Sequence, residues 1–74
     1  MIFEQHAIDQ MNDRGILRSD AEAVVRNPDK IEPGYDSRTN FWGYGPVCGY
    51  RIRVTVNADG TVKTVAWADN RKGQ

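Results

Sequence analysis

The chain has 74 residues, enough for one domain with one core, and the sequence is read as a single domain over residues 1–74. It is 39% hydrophobic and 27% charged with a formal net charge of zero, which argues against a polycation that simply coats nucleic acid. No apolar run approaches the roughly 20 residues that span a bilayer, and a lone cysteine (Cys48) beside a lone histidine (His6) excludes an internal disulfide and the usual structural zinc site.

The charges are segregated along the chain. Residues 1–37 carry four basic and eight acidic side chains, and residues 38–74 carry six and two. If the two halves form separate layers, one is acidic and the other basic. The alternative is chance segregation on a solvated surface. The first residues lack the basic and apolar regions of a secretory signal, so a reducing, cytoplasmic setting with no membrane association is expected.

Phe3, Ala7, Ile8 and Met11 follow helical spacing and predict a helix over residues 3–14, stopped by Gly15. Ser19-Asp20-Ala21-Glu22 has the form of a capping box and predicts a second helix running to Arg26. Ala21, Val24 and Val25 would face inward, and Asn27-Pro28 ends the helix. From Lys30 the period becomes two. Lys30-Ile31-Glu32 is a short strand closed by Pro33-Gly34, residues 35–40 read as a loop, and 41–46 as a short strand or hairpin edge. Residues 48–56 alternate, with Cys48, Tyr50, Ile52, Val54 and Val56 on one face and Arg51, Arg53 and Thr55 on the other.

Asn57-Ala58-Asp59-Gly60 is a hairpin signal, and residues 61–68 form the returning strand. A tight Asp59-Gly60 turn pairs Val54 with Val65 and Ile52 with Trp67. A bulge at Gly60 would instead bring Thr64 and Ala66 behind them. The first register is preferred because it gathers the large apolar residues. Residues 69–74 read as a polar tail. The two helices cannot bury their stripes alone, so an α+β domain is expected. In it, two N-terminal helices pack on a twisted three- to four-stranded antiparallel sheet in the order ααββββ.

Candidate chemistry is sparse. His6 is the natural proton carrier near neutral pH, and it lies off the apolar arc of its helix with Gln10 and Asp13 beside it. Arg51 and Arg53 point the same way from one strand, a pattern suited to phosphate or carboxylate. Thr64 would stand cross-strand from Thr55 near them. Phe41, Trp42, Tyr44 and Tyr50 interleave with glycines and suit base stacking. Each has a plainer alternative: a surface histidine, a solvated strand face, a threonine chosen for shape, core aromatics. No metal motif, phosphate-cradling glycine loop or serine triad is present, and no cofactor is expected.

Phe3, His6-Ala7, Met11, Arg14-Gly15-Ile16, the apparent capping box, Asn27-Pro28 and Thr64-Val65 together resemble the domain of unknown function 4258 family, over nearly the whole chain. That family is thought to be related to the barnase–EndoU–colicin–RelE superfold of metal-independent ribonuclease toxins. The resemblance implies helices on a twisted antiparallel sheet and an RNA cleft. The family usually has arginine just before the methionine, where this chain has Gln10. Two readings follow. One is a metal-independent RNA endonuclease with His6, Arg51, Arg53 and Thr64 as catalytic residues and Gln10, Arg14, Tyr44 and Tyr50 as substrate contacts. The other is a non-catalytic module that docks nucleic acid or an acidic protein. RNA, a cognate inhibitor or an acidic protein are the partners these readings imply, for a monomer or a dimer.

Overall fold

A computed structural model describes residues 1–68, and the tail expected over 69–74 lies outside the described residues. The order is α1 (Gln5–Arg14), α2 (Arg18–Arg26), β1 (Lys30–Pro33), β2 (Thr39–Tyr44), β3 (Arg51–Val56) and β4 (Val62–Trp67). The strands form one antiparallel sheet in the order β1-β2-β3-β4, so the chain folds as the expected ααββββ arrangement. Both helices pack on one face. Phe3, Ala7, Met11, Ile16, Ala21 and Val24 meet Ile52, Val54, Val56, Val62 and Val65 in one core. Burial of each large aliphatic side chain contributes about 1.5–3 kcal/mol.

The first helix starts two residues later than the spacing predicts. Phe3 is taken instead by a parallel bridge to Val62, with Glu4 N donating to Val62 O at 2.9 Å and Val62 N to Ile2 O at 2.8 Å. Backbone pairing with β4 thus competes with the first helical turn and wins. Gly15 ends α1 in the left-handed region at φ 70°, its N–H bonded to Met11 O.

The capping box does not form. Leu17 is the N-cap of α2 and offers no side-chain bond, so Ser19 falls inside the helix. The Asp20 carboxylate is used elsewhere. Fully buried, it accepts Val47 N–H and Cys48 N–H, both at 3.0 Å, from the loop between β2 and β3. A Cβ at Gly45 would come within 2.8 Å of this carboxylate and 2.7 Å of Cys48 Sγ, so the loop must carry glycine there. The loop is also why β3 starts at Arg51: Gly49 takes φ 76°, and the alternation read from Cys48 breaks before the strand begins.

The last hairpin keeps the preferred pairing but not the tight Asp59-Gly60 turn. Asn57 N donates to Thr61 O and Gly60 N to Asn57 O, which makes a three-residue loop with Gly60 at φ 93°. Yet Val54 still pairs with Val65 and Ile52 with Trp67. The two are reconciled by a bulge: Thr55 pairs with Thr64 and Val56 with Val62, which leaves Lys63 as the extra residue. Core burial of Val62 and Val65 fixes the register at both ends of the bulge.

The Asp20 clamp carries a direct expectation. Asp20→Ala leaves two enclosed N–H groups without acceptors and should cost on the order of 2–5 kcal/mol. Asp20→Asn keeps one acceptor and should cost less. Chemical denaturation checks this, and an unchanged midpoint for the alanine variant would show that the loop is held otherwise.

Candidate nucleic-acid interface

The pleat that buries Ile52 and Val54 sends their neighbours to the face that carries no helix. Register places Glu32, Asn40, Thr55 and Thr64 in one row across it, and Lys30, Trp42, Arg53 and Ala66 in the next. Trp42 sits at the centre of a cluster of cations. Lys30 Nζ, the Arg51 guanidinium and the Arg53 guanidinium lie 5.3, 5.1 and 5.9 Å from its ring centroid. Its indole N–H donates to Glu32 Oε1 at 3.0 Å.

These cations are not equivalent. Arg51 donates to both oxygens of Asp29, at 2.8 and 3.3 Å, and this bonding holds the Asp29 carboxyl below its ordinary range. Lys30 pairs with Glu32 at 3.5 Å. Arg38 is fixed by Asn57 Oδ1 at 2.9 Å and by Asp36 at 3.2 Å. Arg53 differs: it makes no ion pair with a described residue, and its Nε is shielded from water with no hydrogen-bond partner. The guanidinium charge itself is therefore not neutralised by a described neighbour.

Arg53 lines an open groove of about 580 Å³ with Tyr35, Arg38, Thr55, Lys63 and Thr64 among its walls. The bulge puts consecutive Lys63 and Thr64 on the same groove. Two of the proposed catalytic residues, Arg53 and Thr64, are therefore brought together. Arg51 stands across Trp42, bound to Asp29.

His6 is elsewhere. It is exposed, as its place off the apolar arc predicts, and lies on the helical side at the β4 edge. Gln10 Oε1 accepts Val65 N–H at 3.2 Å, which leaves the Gln10 amide nitrogen facing His6 Nε2 at 3.1 Å. Arg14 Nη1 donates to Val65 O at 2.7 Å, and Trp67 Nε1 to Arg14 O at 3.0 Å. Gln10 and Arg14 thus occupy both backbone groups that Val65 turns to the sheet edge. The aromatic stretch is divided by the pleat. Tyr44 lies on the open face opposite Arg51, while Tyr50 meets Trp67 edge-on at 6.1 Å and Phe41 packs on the core. Arg38, Lys63 and Tyr35 were not singled out by sequence reasoning. Only Lys63 had a signal: a left-handed Gly60 loop combined with the Val54–Val65 pairing leaves one residue over in β4.

A family model described as a domain of unknown function, DUF4258, matches residues 3–72. The chain belongs to that family. No curated protein and no solved structure matches it. Among the described residues no helix is long and apolar enough to cross a membrane, and no group of three His, Cys, Asp or Glu side chains could hold a metal ion.

Gln10, at the position where the resemblance leads us to expect arginine, supplies the acceptor that Val65 N–H needs and arginine lacks. Amide exchange at Val65 should accelerate in Gln10→Arg and stay slow in Gln10→Glu, which keeps an acceptor. Equal exchange in the two variants would contradict the clamp.

Proposed function

We propose that this domain binds RNA through the phosphodiester backbone, using the open sheet face as a non-catalytic docking surface. The observation that carries the reading is Arg53, a guanidinium with no ion-pair partner among the described residues, on the wall of a groove it shares with Lys63 and Thr64. A phosphate oxygen in the groove accepts from the Arg53 guanidinium, and a second oxygen meets the Lys63 ammonium. Trp42 holds the Arg53 plane and limits the side-chain entropy lost on binding. The zero net charge is compatible with this, because Lys30, Arg51, Arg53 and Lys63 gather on the open face, while α1 and α2 carry four acidic side chains against Arg14, Arg18 and Arg26.

Binding is favoured over cleavage because His6 is not on the groove and its Nε2 is engaged by Gln10. General-base catalysis requires hydrogen-bond reach to the attacking hydroxyl. A cytoplasmic setting, where RNA is met, fits the reading.

Purified protein should bind a single-stranded RNA oligonucleotide with an affinity that falls as salt rises. Arg53→Ala should weaken binding about 5- to 10-fold and reduce the salt slope by about 0.7 for the lost phosphate contact. His6→Ala should bind like the parent, and no 2′,3′-cyclic phosphate ends should form. Cyclic ends that vanish with His6→Ala would overturn the non-catalytic reading. Absence of binding at low salt would overturn the RNA reading itself.

A further inference from the structure

We infer that Tyr35 forms a nucleobase subsite at the wall of the Arg53 groove, which makes the ligand a single strand with unpaired bases. The inference rests on the RNA reading above and adds what the groove takes besides phosphate.

Tyr35 is 89% exposed, more than any other large apolar side chain among the described residues. It packs on nothing, yet it lines the groove. Its position is not left to a loose loop tip. Gly34 N donates to Arg38 O at 2.8 Å and Arg38 N to Tyr35 O at 3.0 Å, closing the connection between β1 and β2. Within it Asp36 and Ser37 both take left-handed backbone, at φ 54° and 61°. Two successive non-glycine residues in that region are strained and persist only where surrounding bonds hold them. The bonds are present: Arg38, which anchors the turn, is gripped by Asn57 and Asp36. The result is a braced turn that presents an aromatic ring to solvent on the same groove as two cations without ion-pair partners among the described residues, Arg53 and Lys63.

Ring and cations on one groove match the two parts of a nucleotide. Bases stack on aromatic side chains whatever their identity, while basic groups follow the backbone. A duplex keeps its base faces covered, so only an unpaired base can meet the Tyr35 ring. The cations alone would accept any polyanion, and the ring alone any flat apolar group. Their combination specifies a single strand.

The test compares a short oligouridylate with an abasic ribose-phosphate chain of the same length, using wild type, Tyr35→Ala, Tyr35→Phe and Arg53→Ala. Tyr35→Ala should weaken oligouridylate binding about 5- to 50-fold and leave abasic binding unchanged. Tyr35→Phe should bind like wild type, and Arg53→Ala should weaken both ligands. Equal affinity of wild type and Tyr35→Ala for oligouridylate would overturn the subsite while leaving the phosphate site standing. Equal weakening of both ligands by Tyr35→Ala would also overturn it, by showing that the residue supports the turn and not a base. If wild type binds neither chain but binds polyglutamate, the RNA reading and the subsite fall together.

Discussion

A strand sends successive side chains to opposite faces, and this chain has helix enough to cover only one face of its sheet. Everything else follows from that allocation. Ile52, Val54 and Val65 go under α1 and α2, and Arg51, Arg53, Thr55 and Thr64 go to the open side. An open face in a domain this small must be polar to stay in solution, but it need not concentrate cations around one indole. The bulge at Lys63 breaks the alternation once and adds a further cation to the open face without disturbing the core pairing on either side.

The β4 edge of the sheet is treated with equal economy. The outer backbone groups of β4 are met first by residues Ile2 and Glu4 and then by the side chains of Gln10 and Arg14. Exposed strand edges invite pairing with other chains, and here the helix that covers the core also closes the edge. Gln10 and Arg14, read from the sequence as substrate contacts, are in the fold bonded to Val65 at this edge. Asp20 does similar work at the other end, fastening the β2–β3 loop to α2.

Much of the architecture was legible because it depends on local periodicity. The stripe of Ala7 and Met11, the Gly15 stop, the Asn27-Pro28 end and the Ile52–Trp67 pairing are all set by near neighbours and by the need to bury large apolar groups. What escaped depends on long-range partners. Ser19 to Glu22 has the composition of a capping box, but α2 begins earlier, after Leu17, where Arg18 bonds Met1 O and pairs with Glu22. Phe3 continues the helical stripe, but β4 offers it backbone bonds. The site was legible in part: Arg53 and Thr64 follow from one hairpin, whereas Trp42 beneath Arg53 requires the pairing of β2 with β3, and Tyr35 requires a turn whose backbone no residue type announces. His6 was named from its chemistry and its place on the helix flank; its separation from the groove depends on how α1 packs on β4, which the helix alone does not carry.

The central claim is that the helix-free face takes RNA. Titrating isotope-labelled protein with a short single-stranded RNA and following amide and indole resonances tests it most directly. The account predicts shifts at Trp42 Nε1, Arg53, Thr55, Lys63 and Thr64, with the amides of α1 and α2 unmoved. Shifts confined to α1 around His6 and Gln10 would contradict it and return the function to the helical side.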